Sequence, residues 1–364
     1  KKIFVILALC YILFFLNLSG NMTLHEELEI RLAAFVGKKW AVLHTTGFLT
    51  NLGAISGLVG PEDVILFDKE NHASIHEGCR AAGARLSYFA HNDREAASRK
   101  LATVRRRHPE ASVFLITEGV FSMSGDVAVL PELVTLKHEH PELVIYLDDA
   151  HGLGVLGTSG RGTAMHFGVV DQVDFIMGTF SKALASIGGF IASDDEESMI
   201  YLKNQSKTLM FSAALPASNT AAVLACLDIL ENEPERVERL REVTDKVCAG
   251  YDSIGLSYGR GGSSIVPIYI GDEDTAYRFA GDLFECGVFA VPAVFPAVPR
   301  GHALLRTAYM STHEDRHIEF VLEALDKLAR KYRIRISDQP PREAPCDAVA
   351  SHTAAEFKNV CSAS

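Results

Sequence analysis

Between Thr23 and about Leu230, short apolar runs alternate with stretches of helical periodicity, and this rhythm constrains the fold more than any other feature of the chain. Runs at Trp40 to His44, Asp63 to Phe67, Arg85 to Phe89, Val113 to Thr117, Leu143 to Leu147, Phe175 to Met177 and Gly189 to Ala192 are apolar at most positions rather than at every second one. Strands of that kind are buried on both faces, which requires helices above and below a largely parallel sheet. Helical patterns fall between several of these runs. Leu24 to Leu32 has Thr23 as expected N-cap and Glu26 as its capping-box partner, and Phe48 to Leu58 follows the turn Thr45-Thr46-Gly47. The expected class is α/β, with a mostly parallel seven-stranded sheet.

Beyond Leu230 the pattern changes. A charged helix from Glu231 to Lys246 leads to strands near Ser264 to Ile270 and Leu304 to Tyr309, alternating with helices from Thr275 to Glu285 and Glu314 to Tyr332. The chain thus divides into an apolar N-terminal segment (1–22), a large domain (23–230), a small C-terminal α+β domain (231–337) and a Pro-, Ala- and Ser-rich tail (338–364) expected to be disordered.

A formal net charge of -11 leaves no basic surplus to neutralise a phosphate backbone, so nucleic acid is not the expected partner and a small molecule is. The seven cysteines are scattered and contain no C-x-x-C pair, which argues against a disulfide framework or a thiolate zinc site and fits a cytoplasmic protein. Lys1-Lys2 followed by the apolar run Ile3 to Leu16 resembles a signal peptide or short anchor. Peripheral or anchored membrane association through residues 3–18 is therefore the alternative expectation.

Three motifs carry chemistry. Asp148-Asp149-Ala150-His151 puts two carboxylates and an imidazole at the carboxyl end of an expected strand, where open α/β sheets bind ligands. Gly178-Thr179-Phe180-Ser181-Lys182 follows at the end of another; a desolvated lysine there becomes a nucleophilic amine, with two hydroxyls beside it for a phosphate. Thr45-Thr46-Gly47-Phe48 is a strand-to-helix turn whose free N–H groups make an anion site. His72 and His76 have the i, i+4 spacing of metal ligands, but no third ligand completes a shell and no metal is expected.

Taken together with Leu24-His25-Glu26-Glu27-Leu28-Glu29, Asn51, Asn71-His72-Ala73-Ser74, Glu118 to Met123 with Gly125-Asp126, Phe211-Ser212 with Leu215-Pro216, and Leu305-Arg306, these motifs resemble the α-oxoamine synthases from about Gly20 to Tyr332. These are class II aminotransferase-like enzymes of the pyridoxal-phosphate-dependent transferase fold type I. Serine palmitoyltransferase, 8-amino-7-oxononanoate synthase, glycine C-acetyltransferase and 5-aminolevulinate synthase belong to the group. The resemblance implies pyridoxal 5'-phosphate as cofactor, joined to Lys182 as a Schiff base, with Lys182 later removing the substrate α-proton. Asp148 would pair with the pyridine nitrogen, His151 and Ser122 with the phenolic oxygen, and His72 would stack on the ring. Gly47, Phe48, Thr179, Ser181 and, from a neighbouring subunit, Ser212 would surround the phosphate, and Arg306 would receive the amino-acid carboxylate. A homodimer is implied because two chains complete each site.

The implied reaction joins an amino acid to an acyl-CoA with loss of CO₂. Asn71 to Cys79, Phe211 to Pro216 and Pro292 to Pro299 look most like bacterial serine palmitoyltransferases, favouring L-serine and a long-chain acyl-CoA. The alternatives are L-alanine with a pimeloyl thioester, glycine with an acetyl donor, or, in another class, a catalytically silent partner subunit. The sequence departs from the resemblance where Ile3 to Leu18 replaces a segment that relatives carry, and at Ala185, where they commonly have Gly.

Overall fold

The computed structural model describes residues 20–334. Seven strands form one sheet: β1 (Trp40–His44), β2 (Val64–Asp68), β3 (Arg85–Phe89), β4 (Val113–Glu118), β5 (Val144–Asp148), β6 (Phe175–Thr179) and β7 (Gly189–Ser193), in the order β1-β7-β6-β5-β4-β2-β3. Strands β6, β5, β4, β2 and β3 pair in parallel, while β7 lies antiparallel between β1 and β6. The expected strands are all present, mostly extended by a residue or two at their carboxyl ends. Those added residues, Asp68, Glu118, Asp148 and Thr179, are polar yet buried, because hydrogen bonds at the sheet's edge replace apolar packing.

The helices of ten residues or more are α1 (Thr23–Phe35), α2 (Gly47–Leu58), α3 (Ala73–Ala82), α4 (Arg94–Arg107), α5 (Glu196–Gln205), α6 (Ala217–Asn232), α7 (Glu235–Ile254), α8 (Glu273–Glu285) and α9 (Asp315–Tyr332). The first six cover the sheet on both sides. Leu66, Leu115, Leu147 and Ile176 join one core with Leu28 and Leu32 of α1, while Ile65, Ile116, Tyr146 and Met177 join another with Ile55 of α2 and Ile75 of α3. Alternate residues of single strands thus enter opposite cores, which explains why the runs are apolar throughout.

The start of α1 corrects the expected cap. Thr23 is the first helical residue, and the Met22 N–H donates to His25 Nδ1 at 3.1 Å, so a histidine does the work expected of Thr23 and Glu26. The charged region after Leu230 also differs, because α6 runs on to Asn232 and α7 starts anew at Glu235 after Pro234.

A second, antiparallel sheet in the order β8-β10-β9 is formed by β8 (Ile268–Gly271), β9 (Val291–Ala293) and β10 (Ala303–Arg306), packed with α7, α8 and α9 around Tyr251, Ile268, Phe279, Leu305 and Leu325. The strand expected from Ser264 begins only at Ile268. Residues 264–266 instead reach Thr307 and Tyr309 through single bridging bonds. Among the described residues no helix is long and apolar enough to cross a membrane. The apolar segment 3–18 and the tail 338–364 lie outside the described residues. Cys79, Cys226, Cys248 and Cys286 are free thiols.

Candidate active site

The carboxyl ends of β1, β2, β4, β5 and β6 open on one edge of the sheet, and the motif residues gather there. Asp148 ends β5 and is 4% exposed. Its Oδ2 accepts from Asn51 Nδ2 at 2.6 Å and its Oδ1 from the Ala150 N–H at 3.0 Å, which locks the plane of the carboxylate. Asn51 is a junction: its Oδ1 accepts from the Tyr146 hydroxyl at 2.8 Å, and its Nδ2 also reaches Ser74 Oγ at 2.9 Å. Asn51 faces Asp148 because Thr46 caps α2, taking the Leu49 N–H on its Oγ1 at 3.1 Å and so setting the first turn.

The network continues to His72, the N-cap of α3. Its Nδ1 accepts from the Ser74 N–H at 3.2 Å and lies 2.7 Å from Ser74 Oγ, while the His72 N–H donates to Glu118 Oε1 at 2.6 Å. With Nδ1 already an acceptor and Ser74 Oγ already receiving the Asn51 amide, the serine proton goes to His72. The imidazole therefore carries its own proton on Nε2. Burial, then the charge of Lys182, lowers the His72 pKa against the pull of Asp148, so the neutral ring is favoured.

Lys182 follows β6 and is exposed, within reach of the charges of Asp148, Glu118 and Arg306. Protein surrounds it closely enough that desolvation lowers its pKa, with Arg306 adding to the effect and Asp148 and Glu118 opposing it. Burial and the nearby charge of Asp148 push Glu118 well above the usual carboxylate range. His151 is driven down to about 2, chiefly by burial and then by the charges of Lys182 and Arg306, which favours the neutral imidazole. These mutual influences identify Lys182, Asp148, Glu118, His72, His151 and Arg306 as one electrostatic cluster.

Arg306 ends β10 and reaches the cluster from the second sheet. Its Nε donates to the Ser122 carbonyl at 2.8 Å, leaving its terminal amines free for a carboxylate, and burial lowers its pKa. Ser122 thus enters the site through its backbone.

Beside the lysine, the Thr179 and Ser181 hydroxyl oxygens are 3.1 Å apart, and Thr179 Oγ1 donates to the Gly188 carbonyl at 3.1 Å. A Cβ on Gly47 would come within 2.6 Å of Thr179 Oγ1, so glycine lets the start of α2 close on Thr179. The first-turn N–H groups of Gly47 and Phe48 have no acceptor within the helix. Free helix-start N–H groups beside two hydroxyls are the kind of donor set that can hold an anion. Ser212 lies on the connection between the short helix Lys207–Met210 and α6, and among the described residues no hydrogen bond or charge interaction ties it to the cluster. No group of three or more His, Cys, Asp or Glu could hold a metal ion among the described residues, and His76 packs its ring against Phe67 instead.

Asp149, the second carboxylate of the motif, turns away. Its oxygens accept from Thr163 N–H and Oγ1, both at 2.6 Å, and Gly119, Gly152 and Gly162 crowd around it so closely that a Cβ on any of them would lie 2.0–2.3 Å from a carboxylate oxygen. It shapes the loop that carries His151. The site roles of Glu118, Ser74 and Tyr146 are not expected from the motifs; Glu118 ends a buried strand just as Asp148 does, and that shared position is the signal available in the sequence. Ala185, in the turn closed by its N–H on the Lys182 carbonyl at 3.1 Å, takes φ +46°, the left-handed region where glycine is at ease.

Comparison with known proteins places these residues in a family. The family model for aminotransferase class I and II matches residues 16–325. The chain is 39% identical over 317 residues to a serine palmitoyltransferase of Bacteriovorax stolpii, covering 87% of this chain and 74% of that one. It is 38% identical over 318 residues to an 8-amino-7-oxononanoate synthase of Thermoanaerobacter pseudethanolicus, covering 87% and 80%. Among solved structures, a serine palmitoyltransferase from S. paucimobilis with a bound PLP–myriocin aldimine superposes with a TM-score of 0.83 at 31% identity, over 87% of this chain and 79% of that one.

Proposed function

The chain belongs to the class I and II aminotransferase family, and from that premise we propose that it is a pyridoxal-phosphate-dependent α-oxoamine synthase. Its reaction joins L-serine to a long-chain acyl-CoA with release of CO₂ and CoA. The observation that carries this reading is the convergence of Lys182, Asp148 and Arg306, from β6, β5 and β10, on one cleft whose corner is the cradle of Gly47, Phe48, Thr179 and Ser181.

The residues fit the cofactor. The cradle suits a phosphate, Asp148 a protonated pyridine nitrogen, the neutral His151 a phenolic oxygen, and the flat ring of His72 a stacked pyridine, while Ser122, expected at the phenolic oxygen, instead holds Arg306 through its carbonyl. When bound, pyridoxal phosphate supplies an aldehyde for amines and an electron sink for the carbon they carry. The protein does the rest. Lys182, its pKa lowered, has more free amine at neutral pH than an ordinary lysine, so it serves both as nucleophile and as the base that takes the α-proton. Asp148, held by Asn51 and Ala150, keeps a proton on the ring nitrogen. Arg306, its Nε tied to Ser122, turns its two terminal amines to the amino-acid carboxylate, fixing which α-bond stands beside Lys182.

A homodimer goes with this reading. Phe48, Met210 and Phe211 are exposed apolar side chains close together at the start of α2, where the Thr208 hydroxyl donates to the Leu49 carbonyl at 3.0 Å, and Ser212 lies beside them. A monomer by light scattering counts against it.

The purified protein should absorb in the visible when given pyridoxal phosphate, and Lys182→Ala should abolish that band; its persistence rejects the assignment. Serine, alanine and glycine are then tested against short and long acyl thioesters with CoA release as readout. Turnover only with serine and a long chain supports the substrate proposed. Turnover only with alanine and a pimeloyl thioester assigns the second reading, which the 38% identical oxononanoate synthase favours.

A further inference from the structure

A charge cluster outside the cleft ties the two halves of the site together. His91, in the turn between β3 and α4, sits among three carboxylates from two other segments. Its Nδ1 is 3.0 Å from Asp68 Oδ1, and its Nε2 is 3.5 Å from Asp126 Oδ2 and 3.6 Å from Glu70 Oε2. The first is a hydrogen bond; the other two are too long for one and act through charge. The ring edge abuts Phe121, with centroids 4.3 Å apart at 90°. Asp68, Glu70 and Asp126 are the charged groups that face it. Burial alone would lower the His91 pKa, but attraction to Asp126, Asp68 and Glu70 outweighs it and raises the value to about 10.

The segment that holds Phe121 and Asp126 is a hairpin, 119–128. At its base the Gly119 N–H donates to the Asp148 carbonyl at 2.7 Å and the Ala128 N–H to the Gly119 carbonyl at 2.9 Å. Higher up, Val120 bridges Val127 and the Phe121 N–H donates to the Asp126 carbonyl at 2.9 Å. Its far side binds the second lobe: Asp126 bridges Gly262, the Ser263 hydroxyl donates to the Gly125 carbonyl at 2.8 Å, and the Ser122 carbonyl holds Arg306. One short hairpin therefore spans from the backbone of Asp148 to the guanidinium of Arg306. Asn92, beside His91, fastens the same stretch, with its Nδ2 donating to the Val127 carbonyl at 3.0 Å and its Oδ1 accepting from the Val129 N–H at 2.8 Å.

We propose that His91 is a positioning residue: by pinning the 119–128 hairpin to the end of β2 it sets the place of Arg306 across from Lys182, and so governs affinity for the amino-acid carboxylate. The inference rests on the role given to Arg306 above. It makes Asp126 the hairpin side of the pin and Asp68 the sheet side. Cutting the hairpin side alone frees the hairpin while leaving buried Asp68 with its bonds from the Asn92 and Glu70 N–H groups, at 2.8 and 2.9 Å.

The test uses His91→Gln, Asp126→Asn and the double variant of the whole chain loaded with pyridoxal phosphate. Amino-acid affinity is read from the visible spectral change on adding serine or alanine, alongside cofactor affinity and KM for the acyl thioester. Each single variant is expected to bind the amino acid about tenfold more weakly, since small displacements of a positioning group are costly. Cofactor affinity and thioester KM stay within about twofold, and the double variant is no worse than the weaker single one because both cut the same tie. Amide exchange at Phe121, Gly125 and Val127, which needs no activity, should quicken in all three. Unchanged amino-acid affinity, additive losses, a parallel fall in cofactor affinity, or unaltered exchange overturns the proposal. If the wild type shows no Lys182-dependent band, the functional reading fails by itself, and the exchange result still decides whether His91 pins the hairpin.

Discussion

Replacing Asn51 probes the centre of the network around the Asp148 carboxylate. Asn51 is 1% exposed and joins Asp148, Tyr146 and Ser74. Asn51→Leu keeps much of the volume but removes every polar atom. A hydrogen bond to a charged group contributes about 1.5–3 kcal/mol, and a buried donor left unsatisfied, here the Tyr146 hydroxyl, costs about 1–3 kcal/mol. The terms overlap, so a loss of roughly 3–4 kcal/mol is expected by urea unfolding, with weaker cofactor binding by visible titration. Asn51→Asp separates shape from proton count. The new carboxyl can still accept from Tyr146 but can meet Asp148 only by holding a proton between them, so the pair binds a proton in the folded state that the unfolded chain releases. A folded pKa raised in this way adds stability at low pH that is lost as pH rises through it. Relative to wild type, Asn51→Asp should therefore be more stable at pH 5 than at pH 8. A loss below about 1 kcal/mol for Asn51→Leu with cofactor affinity intact, or a pH-independent gap for Asn51→Asp, refutes the argument.

Three further outcomes follow from particular residues. Ala185→Gly relieves the left-handed backbone at φ +46° and should raise stability by about 0.5–1 kcal/mol in urea, without touching Lys182; destabilisation would show that the alanine methyl packs usefully. His44 is 2% exposed, neither ring nitrogen has a well-formed hydrogen bond among the described residues, and burial, against a weaker pull from the Val42 backbone, depresses its pKa from 6.5 to about 4. Protonation in the unfolded chain then erodes stability as pH falls from about 6.5 towards 4, by up to roughly 3 kcal/mol. His44→Leu should gain that much on wild type between pH 7 and pH 4, and a constant difference would contradict it. Gly152→Ala puts a methyl 2.0 Å from Asp149 Oδ1 and 2.3 Å from Thr163 Oγ1, so it should cost about 3 kcal/mol or more and loosen the His151 loop, read by denaturation and cofactor titration; a silent substitution would mean that the loop yields.

The local text determined a great deal. Each apolar run is itself a strand, and in every one but the reversed β7 the residue closing it lies at the same edge of the sheet, so Asp148, Thr179 and the lysine just beyond fall on one side of the molecule. The turn Thr45-Thr46-Gly47 marks the start of α2 in the same way, with Thr46 as the cap. Where the fold departs from the local expectation, contacts with distant segments decide between equal local options: His25, which also meets the Leu215 carbonyl, rather than Glu26 closes the start of α1, and backbone bridging bonds replace a regular strand at 264–266.

What no segment encodes is which element stands beside which. Asn51 meets Asp148 across 97 residues and Arg306 meets the Ser122 carbonyl across 184, because the strand order and the reversed β7 bring their chain ends together. The roles of Glu118, Ser74 and the His91 cluster belong to the same class. A residue's period along the chain reports the face it presents to the core, whereas its partner depends on how whole elements pack. The amine and the carboxylate were therefore legible in the text, and the network that holds them in place exists only in the folded chain.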